Sequence, residues 1–271
     1  MEFISLFSGI GGLDLGLERA GMECVAQVEI DDYCQKVLTK HWPHVPKYKD
    51  VKDVGKNNLP AADLICGGFP CQPHSLAGSR KASIDARDLW PEFARIVREC
   101  QPEWVVAENV PGLLSSEAGR FFGRVLWDLA ASGYGVEWQS LPAAAFGAPH
   151  IRERIFIVAH NESLRKRGLS TSTTREGEEV TDPHGVYPDV LPNLDRSRQY
   201  KQWFTLHASQ TIQTIWSAIK PSSQWEIEPG VVRVVHGFPG RVDRLKGLGN
   251  AVVPQVAEFV GRCILNFDNQ V

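Results

Sequence analysis

A short apolar run, Asp63-Leu64-Ile65-Cys66, passes without a break into Gly67-Gly68-Phe69-Pro70-Cys71-Gln72-Pro73-His74-Ser75. A buried strand that meets glycines and two prolines cannot continue. The chain turns rigidly there, at the end of a sheet, where α/β folds bind their ligands. The turn carries a cysteine at its centre, so Cys71 reads as a presented nucleophile. Only its thiolate would react, and a small buried thiol in a tight loop is the plain structural alternative. The choice between them depends on what else the chain brings to the same sheet end.

The 271 residues, 43% of them hydrophobic and 23% charged, can bury a full core, which predicts one large domain with at most a small appendage. The six cysteines form neither a CxxC pair nor a Cys/His ladder. No metal site and no disulfide framework is expected, and a reducing cytoplasm fits that usage. No signal-like segment opens the chain and no apolar run is long enough for a bilayer, so no membrane association is expected. A net charge of -3 excludes a uniformly basic nucleic-acid binder; any such contact must use a local basic face.

Near the start, Phe3-Ile4-Ser5-Leu6 breaks into Phe7-Ser8-Gly9-Ile10-Gly11-Gly12, after which Leu13 and Leu17 share a helical face. A strand, a glycine turn and a helix N-terminus offer free N–H groups and close backbone approach to a charged cofactor. The dinucleotide spacing is broken, because Asp14 stands where a third glycine belongs, and that points away from nicotinamide and toward another nucleoside. Cys24 to Val28 forms a second strand ending at Glu29, about 20 residues after the first glycine, where an acid can bond ribose hydroxyls. Asp31 or Asp32 can cap the next helix, which turns Tyr33, Val37 and Leu38 inward. Asp50 serves equally as a turn residue or as a contact for an adenine amino group.

Beyond Cys71, the polar segment from Leu76 to Arg87 lacks periodicity and is placed to close over a substrate. Trp90-Pro91 opens a helix with Phe93, Ile96, Val97 and Cys100 on its core face. Trp104 to Ala107 is a further buried strand, ending in Glu108-Asn109-Val110-Pro111-Gly112. A carboxyl at the tip of a strand beside a strand-end cysteine is a candidate acid for a substrate ring nitrogen. A helix is predicted from Glu117 to Ser132, stopping at Gly133. In Ile151-Arg152-Glu153-Arg154, a period of two puts both arginines on one strand face, where they require anionic partners.

From Asn161 the apolar periodicity is lost and Ser, Thr, Arg, Gly and Pro accumulate, with Trp203, Phe204, Trp216 and Trp225 able to form a satellite cluster. Order returns with the strand-like Val231 to Val235 and a local basic group of Arg241, Arg244 and Lys246. Gly249-Asn250-Ala251-Val252-Val253-Pro254 then leads into a helix whose buried face is Val256, Phe259, Val260, Cys263 and Ile264.

Taken in order, these motifs resemble the cytosine-C5 DNA methyltransferases, from Phe3 to about His160 and again from about Val231 to the end. Phe7 to Gly12 is similar to the family's S-adenosylmethionine loop, Glu29 to its ribose-binding acid and Asp50 to its adenine contact. Pro70-Cys71-Gln72 resembles the catalytic Pro-Cys loop, Glu108-Asn109-Val110 the catalytic Glu-Asn-Val, and Arg152 with Arg154 the Arg-x-Arg strand. Gly249 to Pro254 resembles the motif that completes the cofactor pocket. The resemblance implies catalysis by Cys71, Glu108, Arg152 and Arg154. It implies cofactor binding by Phe7, Ser8, Gly9, Gly11, Gly12, Leu13, Glu29, Asp50, Pro70, Leu89, Asn250 and Val252. His150 departs from the family's usual glutamine, and the segment between the matched blocks is short for target recognition.

The implied fold is a Rossmann-like α/β methyltransferase in three parts: a catalytic and cofactor domain at 1–160, a small inserted target-recognition lobe at 161–230, and a return to the catalytic domain at 231–271. The implied reaction is methylation of C5 of a flipped cytosine in double-stranded DNA, through a covalent adduct at Cys71, by a monomer. Its setting would be the bacterial cytoplasm, or the host cytoplasm if the chain is phage-encoded. Three other readings compete: a nicotinamide-dependent oxidoreductase on a similar sheet, which Asp14 and Cys71 disfavour; a DNA-binding relative without turnover; and an RNA cytosine-C5 methyltransferase.

Overall fold

The computed structural model describes residues 1–70, 88–161 and 241–268. Cys71 and the whole Leu76 to Arg87 segment lie outside the described residues. So do the proposed lobe beyond Asn161, its tryptophans, and the strand expected at Val231 to Val235.

The elements are β1 (Glu2–Leu6), α1 (Gly12–Ala20), β2 (Glu23–Val28), α2 (Asp32–His41), β3 (Lys47–Tyr48), β4 (Leu64–Gly68), α3 (Trp90–Cys100), β5 (Trp104–Asn109), α4 (Arg120–Ala131), β6 (Tyr134–Pro142), β7 (Glu153–Asn161), α5 (Arg241–Asn250) and α6 (Pro254–Asp268). Among the described residues, seven strands form one sheet in the order β3-β2-β1-β4-β5-β7-β6. The first five run parallel, whereas β7 is antiparallel to both β5 and β6. This is the Rossmann-like α/β architecture expected from the sequence.

Alternation along the strands fills both faces. Ile4, Ile65, Val105 and Ala107 join Trp90, Phe93 and Val125 in one core, while Phe3, Leu64, Cys66, Trp104 and Val106 join Leu13, Leu17, Phe259 and Val260 in the other. Strands buried on both faces read as unbroken apolar runs, which is why they are conspicuous in the sequence. Helix α1 packs tightly on α6. A Cβ on Gly16 would lie 2.3 Å from Ala257 Cβ and 2.4 Å from the Pro254 carbonyl, so glycine is what lets the two backbones approach.

Three boundaries differ from expectation. The helix predicted from Glu117 begins at Arg120, because Pro111–Gly119 runs as 3-10 turns and Glu117, Ala118 and Gly119 all take positive φ before α4 starts. Residues 241–250 form a helix despite Gly247 and Gly249, where only a basic group and a loop were expected. The edge strand β6 escaped the sequence reading altogether; it is mostly half-exposed and carries Glu137 and Gln139, which blunt its alternation. No helix among the described residues is long and apolar enough to cross a membrane.

Strand order reverses between β1 and β4, whose connections leave toward opposite sides of the sheet. Such a switch point opens a crevice at the carboxyl ends of the strands. A cavity of about 690 Å³ opens there.

Candidate active site

The cavity is built from the turns that follow β1, β2, β4 and β5. After β1, Phe7 adopts φ 53°, an uncommon left-handed conformation for a side chain of its size, and Gly9 follows at φ 58°. The turn is tied down by the Ser8 amide, which donates to the Val28 carbonyl at 3.1 Å, and by the Ser8 hydroxyl, which donates to the Ser5 carbonyl at 3.0 Å. A Cβ on Gly9 would meet nothing within 4 Å, so the backbone there borders open space.

Glu29, just past β2, accepts from the Gly9 amide at 2.7 Å through one oxygen and from the Asp31 amide at 2.7 Å through the other. It thereby fixes the glycine turn against the next strand end. Asp31 caps α2, accepting from the Tyr33 and Cys34 amides, and also accepts from Lys246 Nζ at 2.9 Å. Asp50 accepts from the Lys52 amide at 3.0 Å, holding the turn that follows it, and it also lines the cavity.

At the end of β5, Glu108 is 6% exposed, and Arg154 Nε approaches its Oε1 at 3.0 Å. Burial pushes the Glu108 carboxyl up to about 7, against the opposing pull of Arg154 and Arg152. Gly68 gives it room, since a Cβ there would lie 2.7 Å from Glu108 Oε2 and push the carboxyl aside. The neighbouring Asn109 is buried, and its Nδ2 donates to the Phe69 carbonyl at 2.9 Å, holding the chain as it enters Pro70. The residue that follows Pro70 is Cys71, outside the described residues.

Phe7, Ser8, Gly9, Gly12, Leu13, Glu29, Asp50, Pro70, Leu89, Glu108, Arg154, Asn250 and Val252 thus border one cavity. Two residues singled out with them stand apart. Gly11, at φ 83°, is not among the lining residues; a Cβ there would strike the Trp42 ring at 2.4 Å, so this glycine serves helix packing. Arg152 precedes β7 at φ 34° and does not share a strand face with Arg154. Its Nη2 donates instead to the carbonyls of Gly249 and Ala251.

Sequence reasoning missed several contributors. Ile30, 64% exposed, supplies an apolar wall at the cavity, and the only signal was its place directly after the strand-end acid. Lys246 was noted as a basic group but not as the partner of Asp31, 215 residues away. Asp14, noted in the sequence only as breaking the glycine spacing, is fully buried and accepts from Ser5 Oγ at 2.9 Å and Gln27 Nε2 at 2.7 Å, joining the root of the glycine turn to β2. Burial raises its carboxyl to about 6, with the bonds from Gln27 and Ser5 opposing.

Comparison with known proteins agrees with this geometry. The family model for C-5 cytosine-specific DNA methylases matches residues 1–232. The chain is 37% identical over 195 residues to the Type II methyltransferase M.HgiCII of Herpetosiphon aurantiacus, covering 71% of this chain and 43% of that protein. It is 36% identical over 165 residues to M.HhaI of Haemophilus parahaemolyticus, covering 60% of this chain and 50% of that protein. The chain therefore spans half or less of the length of these relatives. Among solved structures, a prophage-encoded Escherichia coli protein described as a DNA modification methyltransferase superposes with a TM-score of 0.54 at 31% identity, covering 61% of this chain and 48% of that one. A Spodoptera frugiperda DNMT2 variant superposes with a TM-score of 0.57 over 97% of this chain and 99% of that one; at 17% identity it speaks for the fold alone.

Proposed function

The chain belongs to the C-5 cytosine-specific DNA methylase family, and on that premise we propose that it transfers the methyl group of S-adenosylmethionine to C5 of a cytosine flipped out of double-stranded DNA. The observation that carries the proposal is the buried Glu108, held near neutrality in its protonation and bordering the same cavity as the glycine turn and Pro70.

The cavity suits the donor. Gly9 leaves backbone open to it, Ile30 offers an apolar wall, and Glu29 and Asp50 offer carboxylates for hydroxyl and amino groups. Bound there, S-adenosylmethionine supplies an electrophilic methyl group on a sulfonium. Residues 7–9, 12, 13, 29–31, 50 and 250–252 would hold it; we read 70 and 89 as its remaining contacts.

The remaining steps belong to the chain's own side chains. Cytosine C5 is a poor nucleophile until C6 is saturated, so the Cys71 thiolate adds at C6 and forms a carbon–sulfur bond. Glu108, protonated, donates to ring N3 and neutralises the charge that the addition places on the base. Arg154 orients that carboxyl through Oε1. The electron pair at C5 would then form a bond to the donor's methyl carbon as the methyl–sulfur bond breaks, its pair staying on sulfur as a neutral thioether. Loss of the C5 proton to a base expels Cys71 as thiolate, and return of the N3 proton to Glu108 restores the neutral ring. A stacked base is out of reach, so the target must be extruded at a cost of about a few kcal/mol. We further propose that residues 161–230 supply target recognition and that the enzyme acts as a cytoplasmic monomer.

The test is to incubate the chain with S-adenosylmethionine labelled in its methyl group and with double-stranded DNA or RNA, then digest to nucleosides. Label in 5-methyldeoxycytidine is expected. Label confined to another nucleoside, or to RNA, would refute the proposal.

A further inference from the structure

Arg152 and Arg154 stand two residues apart and hold different things. Arg154 reaches Glu108. Arg152 takes a left-handed backbone, which a non-glycine residue keeps only where its surroundings enforce it, and so leaves the alternation of β7. Its Nη2 donates to the Gly249 carbonyl at 2.7 Å and to the Ala251 carbonyl at 2.5 Å. Gly249 lies in the last turn of α5 and Ala251 just beyond it, at the negative end of the helix dipole, where carbonyls lack partners within the helix. One planar cation satisfies both, with charge-assisted bonds.

The segment so gripped is a wall of the donor cavity. Asn250, Ala251 and Val252 line it, along with Lys246 and Gly247 of α5. The same segment abuts the start of α1, where a Cβ on Gly12 would lie 2.3 Å from the Val252 carbonyl. Residues 250–252 are therefore fixed between α1 and Arg152.

We infer that Arg152 is a positioning residue for the methyl-donor wall, acting through the carbonyls of Gly249 and Ala251, and that Arg154, which makes the ion pair with Glu108, is the one that orients the carboxyl that meets the base. This rests on the function proposed above, since the ligand of the wall is taken to be S-adenosylmethionine. Through this short segment, donor wall and catalytic carboxyl are set by one stretch of backbone.

The test uses the whole chain as wild type and as R152A, R152K and R154A. Dissociation constants for S-adenosylmethionine are measured by titration calorimetry, and single-turnover methylation rates at saturating donor. R152A is expected to weaken donor binding about tenfold or more, with a smaller fall in the saturated rate. R152K recovers part of the affinity, because an ammonium can reach one of the two carbonyls. R154A shows the opposite balance, its rate falling further than its affinity. Donor affinity in R152A within about twofold of wild type, or a rate loss larger than the affinity loss, would overturn the inference. Melting curves without donor report folding; should R152A not fold, R152K decides, with unchanged donor affinity overturning the inference and weakened affinity at retained rate supporting it. A wild-type chain that binds no S-adenosylmethionine refutes the proposed function and this inference with it, an outcome distinct from selective failure in one variant.

Discussion

Arg154 Nε lies 3.0 Å from Glu108 Oε1, yet the Glu108 carboxyl is held up at about 7 because burial outweighs the guanidinium. If protonated Glu108 is the form that meets the base, single-turnover rates fall as pH rises through about 7. E108Q should lose that falling limb and about a hundredfold or more in rate. R154A removes a group that pulls the Glu108 proton off, so its limb moves to higher pH. Rates measured from pH 5.5 to 9 check both signs; a limb that persists in E108Q belongs to another group.

Asp14 gives a stability counterpart. Its carboxyl is raised from 3.8 to about 6 in the folded chain, chiefly by burial. A raised acid binds protons more tightly when folded, so its contribution is complete below about 4 and is lost as pH climbs through about 6. The span is on the order of 2–3 kcal/mol. D14N cannot titrate, and Gln27, whose Oε1 has no hydrogen-bond partner, can turn its amide to suit an asparagine. Urea unfolding at pH 4.5 and 7.5 should show wild type losing more stability across the interval than D14N; equal losses would remove Asp14 as the cause.

Gly16 tests the packing that carries the donor turn. Alanine would gain about 1 kcal/mol in helix propensity. Its Cβ would also lie 2.3 Å from Ala257 Cβ, 2.4 Å from the Pro254 carbonyl and 2.8 Å from the Glu258 amide, and two of those three are backbone atoms that cannot swing aside. Overpacking of this kind costs about 1–3 kcal/mol and should win. A lower urea midpoint for G16A is expected; an unchanged one would mean that α1 and α6 can separate freely.

The parallel strands and the strand-end residues Glu29, Glu108 and Pro70 were legible because a doubly buried strand is an apolar run with an abrupt polar end. What stayed hidden depends on distant or fine geometry. A period of two placed Arg152 beside Arg154, but one left-handed residue sends its guanidinium to carbonyls about a hundred residues away. A glycine-rich turn does not reveal which wall each glycine serves, so Gly11, which faces Trp42, read like its cavity-lining neighbours. Lys246 and Asp31 meet only because α5 folds back across the sheet end. The half-exposed β6 carries no apolar run by which to see it.

The most direct test of the central claim uses duplexes in which 5-fluorocytosine replaces cytosine, incubated with the chain and S-adenosylmethionine. Fluorine at C5 cannot leave as a proton does, so the adduct should persist after denaturation, carry the transferred methyl group, and map by peptide mass to Cys71, with none in C71S. A preparation that methylates ordinary DNA yet yields no adduct on the fluorinated duplex, or yields one at another residue, would contradict covalent catalysis by Cys71.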